Sequence, residues 1–93
     1  MGDRSGVRRI IDDAKTFAEV VGDGVRRHRQ GHGWTQVQLA EAAGLSPNYV
    51  ARLERGELGP SFFVAHQLAR TLGIDVGDLV EIPQRTTRRR IAG

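Results

Sequence analysis

WTQVQLAEAAGLSPNYVARLERG, residues 34–56, carries the punctuation of two short helices joined by one tight turn. Thr35 stands three residues before Gln38, the spacing of a capping box, and Trp34 and Leu39 hold the flanking positions of a hydrophobic staple. Gly44 suits the left-handed end of the first helix. The second helix starts at once, with Ser46 as N-cap, Pro47 at the first helical position, and Leu45 and Val50 as a second staple. Gly56 closes it. Ala40 is small where the second helix must cross, and Val50 and Leu53 repeat on one face. Two helices joined through a short glycine turn make a helix-turn-helix unit.

The same signals extend outward. Ser61 to Leu72 reads as a third capped helix ended by Gly73, and Asp75, with Ile74 and Leu79, begins a short last helix that Pro83 terminates. Upstream, Phe17 to Gln30 places apolar residues at 17, 18, 21 and 25, a helical stripe. The stripe continues back through Val7, Ile10, Ile11 and Ala14 and predicts an additional helix within residues 5–15, separate from the next or continuous with it. Gly22 and Gly24 count against an unbroken helix. The fold class is all-α: five helices, an extra N-terminal helix and no strand. We divide the chain into an extension (1–16), a helix-turn-helix domain (17–83) and a basic tail (84–93) expected to be mobile without a partner. Trp34, Phe62 and Phe63 read as core residues.

A chain of 93 residues allows one domain with a modest core, for which self-association is a source of further burial. Cysteine is absent, so no disulfide or thiolate metal site is available. No apolar run approaches membrane-spanning length, and the N-terminus lacks the apolar core of a signal peptide, so a cytoplasmic, nucleoid-associated setting is expected. The net charge of +3 is unevenly placed. Residues 17–83 hold six arginines against eight acids, whereas residues 84–93 hold four arginines and no acid. Contact with a polyanion therefore requires a local patch, helped by the tail.

The ordered set TQ-x-x-LA, G-L-S, L-E-R-G, P-S and LA-x-x-LG, over roughly residues 17–83, resembles the Cro and lambda-repressor-like (XRE) family of DNA-binding domains. The resemblance implies a five-helix lambda-repressor-like fold, with the helix from Ser46 to Arg55 lying in the major groove of DNA. Helical spacing agrees: with Val50 and Leu53 inward, Pro47, Asn48, Ala51, Arg52 and Arg55 point outward. Asn48 can pair with adenine and Arg52 with guanine, each through two hydrogen bonds, and Ala51 can meet a thymine methyl. Tyr49 lies at the edge of the inward face, its hydroxyl within reach of a base or a phosphate. By the resemblance Gln36 bonds a DNA phosphate at a helix N-terminus. Ser46 is open to capping, phosphate contact or both, and Arg55 to phosphate contact.

Glu54 would be repelled by phosphates if free. The resemblance implies that Arg29 pairs with it, a structural ion pair that fixes the recognition helix. Arg26 and Arg27 read as a solvated face. His28 and His32 lack a third ligand at suitable spacing, so no metal is expected. Nothing resembles a nucleophile with its base, so neither an enzyme nor a cofactor is expected.

These readings lead to a sequence-specific double-stranded DNA binder that regulates transcription, most simply as a repressor. A single short recognition helix reads few base pairs, which predicts a homodimer on a near-palindromic operator. The predicted dimer surface is Val76, Leu79, Val80 and Ile82, or the N-terminal extension. Arg85, Arg88, Arg89 and Arg90 would add non-specific DNA affinity. The alternative is an antitoxin or restriction-modification controller that binds a protein partner, a toxin or polymerase, and autoregulates its promoter.

Overall fold

The computed structural model describes the backbone of residues 2–81 and the side chains of residues 16–81. Five helices follow in order: α1 (Gly2–Gly31), α2 (Gln36–Ala43), α3 (Pro47–Glu54), α4 (Phe62–Leu72) and α5 (Val76–Leu79). No strand occurs among the described residues.

The four later helices begin at Thr35, Ser46, Ser61 and Asp75, each extended in backbone. The Thr35 hydroxyl accepts from the Gln38 N–H at 3.0 Å, and the Gln38 side chain accepts from the Thr35 N–H at 2.8 Å. Ser46 and Ser61 accept from the N–H groups of Tyr49 and Val64, both at 3.1 Å. Each such cap satisfies donors that a helix start otherwise leaves orphaned, a contribution of about 1 kcal/mol.

The extra N-terminal segment and the first helix of the domain are one helix, about 45 Å long at 1.5 Å per residue. Gly22 and Gly24, which count against an unbroken helix by propensity, are points where other elements approach α1 closely. A methyl group at Gly22 would collide with the Leu53 carbonyl oxygen and stand 3.0 Å from that of Glu54. One at Gly24 would collide with the Leu79 carbonyl group. The missing side chains let the ends of α3 and α5 lie directly on α1, and this packing offsets a helix-propensity cost of about 1 kcal/mol per glycine.

The core gathers Val21 and Val25 from α1, Leu39, Ala40 and Ala43 from α2, Val50 and Leu53 from α3, Leu68, Ala69 and Leu72 from α4, and Leu79 from α5. Trp34 packs against this cluster while half-buried, stacked on His32 with ring centroids 4.5 Å apart. Phe62 and Phe63 do not join the core; they are 79% and 73% exposed. The reason is register. At 100° per residue, Leu68, Ala69 and Leu72 define the inner face of α4. Phe63 then falls on the opposite side, and Phe62 falls at the flank in the first turn.

Candidate nucleic-acid interface

The turn between α2 and α3 is made by Gly44, whose φ of 73° is left-handed and whose N–H returns to the carbonyls of Ala40 and Glu41. Leu45 N–H closes the turn on the Ala40 carbonyl at 2.8 Å. Ala40 is fully buried at the crossing, so the two helices meet closely and hold one fixed angle.

Val50, Leu53 and Glu54 form the buried side of α3, while Pro47, Asn48 and Arg52 are exposed, as is Arg55 at the C-cap. Ala51 is half-buried between them. Tyr49 is half-buried against the core, and that burial pushes its phenol pKa above the ordinary value. The structure thus brings Pro47, Asn48, Ala51, Arg52 and Arg55 together on one outward surface. The exposed Asn48 and Arg52 lie one helical turn apart on it.

Glu54 is the buried charged residue of this cluster, with its side chain 2% exposed. Arg29 grips it at two points, Nε to Oε2 at 2.7 Å and Nη2 to Oε1 at 2.9 Å. The remaining reach of the guanidinium goes to the Trp34 carbonyl, where Nη1 donates at 2.8 Å. The hydrogen bond to Glu54 holds the Arg29 pKa above its ordinary value. One guanidinium therefore ties the end of α1, the entrance to α2 and the end of α3. A bidentate, largely desolvated pair of this kind is rigid and strongly directional.

Gln36, which the resemblance assigns to a phosphate, donates its side-chain amide to Glu54 Oε1 at 3.0 Å. It completes the buried network, a role that spacing alone did not suggest. Ser46 uses its hydroxyl as a cap.

A further residue, Glu57, was not singled out in the sequence. Its carboxylate accepts from Arg52 Nε at 3.2 Å and from Arg55 Nε at 2.6 Å. The hydrogen bond from Arg55, then that from Arg52, lowers the Glu57 pKa from the usual carboxylate range. These pairs are exposed, so they are weak, and an incoming phosphate or base edge can replace the carboxylate. The signal was present as Arg52 and Arg55 close to Glu57 in the chain, but sequence spacing does not determine where a loop side chain turns.

The expected dimer set is divided. Leu79 is only 1% exposed and is part of the monomer core, so it cannot cover a partner; Val76 is half-buried against the same core, and Val80 is 37% exposed. Ile82 and the tail residues Arg85, Arg88, Arg89 and Arg90 lie outside the described residues. Arg26 and Arg27 both bond Asp23, each at 2.8 Å, and this holds the Asp23 pKa below its ordinary value, Arg27 contributing most. His32 Nε2 lies 2.8 Å from the Leu72 carbonyl oxygen. No group of three or more metal-ligating side chains occurs among the described residues. No described helix is long and apolar enough to cross a membrane.

Comparison with known proteins places this geometry among relatives. A helix-turn-helix family model (HTH_3) matches residues 25–79. An uncharacterized HTH-type transcriptional regulator of Methanothermobacter thermautotrophicus is 43% identical over 49 residues, covering 53% of this chain and 71% of that protein. The immunity repressor of Bacillus phage phi105 is 42% identical over 60 residues, covering 64% of this chain and 42% of the repressor, so the chain spans less than half of that relative. Among solved structures, the clp gene regulator ClgR from C. glutamicum superposes with a TM-score of 0.65 at 34% identity, over 69% of this chain and 83% of ClgR. The restriction-modification controller protein C.AhdI from Aeromonas hydrophila does so with a TM-score of 0.68 at 31% identity, over 72% of this chain and 97% of the controller.

Proposed function

Because this chain belongs to the helix-turn-helix family of DNA-binding transcriptional regulators, of the Cro and lambda-repressor-like kind, we propose that it acts in the cytoplasm as a homodimeric repressor of a near-palindromic operator. The family is one of regulators and not of enzymes. Helix α3 enters the major groove. Arg52 reads guanine, Asn48 reads adenine, Ala51 and Pro47 fit against the groove floor, and the start of α2 meets the phosphate backbone.

The observation that carries the reading is the division of α3 into two sides. Its inner side is anchored by Val50, Leu53 and the Arg29–Glu54–Gln36 network, while its outer side offers Asn48 and Arg52 to solvent. A reader of base edges needs both, since small displacements of the helix would misalign every two-point contact.

The test begins with selection of bound sequences from a random duplex pool, followed by single-base changes across the selected site. Arg52→Ala should cost about 1–3 kcal/mol on the preferred site and relax discrimination at one guanine. Asn48→Ala should do the same at a different, adenine position. Gln36→Ala should weaken all duplexes nearly equally, because the start of α2 meets phosphates, which carry no sequence information. If Arg52→Ala lowered affinity uniformly and Gln36→Ala changed base preference, α3 would not be the reading helix.

A second reading, a restriction-modification controller that regulates its own promoter, is favoured by the match covering 97% of the C.AhdI chain. An antitoxin would share the same DNA-binding helix. The genes beside this one distinguish the cases: a methyltransferase and endonuclease pair, a toxin, or neither.

A further inference from the structure

The exposed face of α4 does not have the composition of a solvent face. Phe62, Phe63, His66 and Arg70 are its exposed residues, and the first two are large, apolar and more than two-thirds in water. A surface helix ordinarily turns polar residues outward. From Leu58 to Ala69 there is also no Asp, Glu, Lys or Arg, in a chain in which 27% of residues are charged. Adjacent exposed aromatics within a stretch lacking charge have the composition of an interface core, in which aromatics are enriched and charges depleted. Lone exposed apolar residues need no such account.

We propose that the Phe62–Phe63 surface at the start of α4 is where a second copy of this chain docks, so that the two-fold axis of the dimer runs beside α4 and not through α5. The proposal rests on the dimeric operator-binding reading above and adds to it the contact surface. Three observations select a second copy as occupant. DNA is disfavoured, because the stretch from Leu58 to Ala69 supplies no lysine or arginine to a phosphate, and Arg70 stands toward the far end of α4. Two copies of an uncharged apolar patch meet without like-charge repulsion, whereas a charged residue beside a two-fold axis faces its own copy.

The alternative on α5 has, in turn, lost Leu79 to the monomer core. The area is adequate for the centre of such an interface. At 79% and 73% exposure the two rings offer roughly 300 Å² per protomer, against about 800 Å² per partner in a stable interface, so they supply the desolvated centre and neighbouring residues the rim. Only residues 55–61 separate α3 from α4, so a contact here also fixes how far apart the two reading helices stand. That spacing is what a two-half-site operator measures.

The experiment compares the full chain with Phe62→Ser/Phe63→Ser and with the single change Phe63→Glu, using sedimentation equilibrium and titration of duplexes carrying one or two half-sites. Circular dichroism checks that helix content is retained, as it should be for side chains outside the core. The wild type should dimerise. The double variant should dimerise at least about tenfold more weakly, the loss typical of truncating interface centres. Phe63→Glu should abolish dimerisation by placing like charges across the axis. Affinity for a single half-site should be unchanged in both, while the advantage of the two-half-site duplex should disappear. Dimerisation at wild-type strength in both variants would overturn the proposal and leave the DNA-binding reading intact. A wild type that stays monomeric at high concentration, free and on DNA, would overturn it as well. Dimerisation that depends on the two phenylalanines without binding to any duplex would support this surface and refute the operator-binding reading.

Discussion

Removing Arg29 tests the network behind the recognition helix most directly. Arg29→Met keeps much of the aliphatic stem but removes both hydrogen bonds to Glu54 and the one to the Trp34 carbonyl. Glu54, with its side chain 2% exposed, would then be a buried carboxylate held by the Gln36 amide alone. Breaking one side of such a pair costs about 3–5 kcal/mol, because the remaining charge has lost its partner and cannot recover water. A domain of this size has about 5–14 kcal/mol in total at 0.05–0.15 kcal/mol per residue, so the loss consumes a large share. At about 4–8 °C per kcal/mol, the melting temperature should fall by about 12–40 °C. Glu54→Leu should also destabilise, since it leaves the Arg29 charge facing an apolar residue. The double replacement removes both charges and fills the space with apolar atoms, an exchange that is often neutral. Urea unfolding followed by circular dichroism and by the fluorescence of the single tryptophan, Trp34, should therefore show the double variant above at least one of the single variants. The coupling energy should exceed about 2 kcal/mol. Losses that add strictly would refute the reasoning, because the buried carboxylate would then not depend on Arg29.

Gly22→Ala should lower stability by about 1–3 kcal/mol through collision with the Leu53 carbonyl, although alanine ordinarily strengthens a helix. Gly31→Ala, which meets no atom within 4 Å, is the control and should be neutral or stabilising; equal effects of the two would remove the close-approach argument. Tyr49 is the only tyrosine, so an absorbance titration isolates its phenol, which should ionise above the ordinary value of 10.0 because burial disfavours the phenolate. Its contribution to stability is then full below pH 10.0 and is lost as pH rises through the folded-state value; a midpoint at or below 10.0 would contradict this burial. Deleting residues 84–93 should weaken binding to all duplexes alike and flatten its salt dependence, whereas an unchanged salt slope would mean that the arginines do not meet phosphate.

The local outline of this protein was legible in its sequence because the relevant signals are local. Thr35 with Gln38, Ser46 with Pro47, Gly44 and Gly73 act within one or two turns of chain, so their spacing is enough to mark where helices start and stop. The inward pair Val50 and Leu53 followed from helical periodicity, and with them the outward positions of Asn48 and Arg52. The pairing of Arg29 with Glu54, 25 residues apart, came from family resemblance, since spacing across a turn does not reveal which charges meet. What remained was decided by tertiary packing. Gly22 and Gly24 read as helix breakers because propensity counts only the backbone, whereas in the fold they are clearances for the ends of α3 and α5. Gln36 turned to Glu54 because a buried carboxylate recruits any donor in reach, and which donor is in reach depends on how α2 crosses α3. By hydrophobicity alone Phe62 and Phe63 read as core, but burial requires a neighbour on the correct side. The start of α4 lies off the stripe that Leu68, Ala69 and Leu72 define, and no described residue covers the two rings. Composition states how much apolar surface a chain must hide; only the packed arrangement of helices decides which of it is left for a partner.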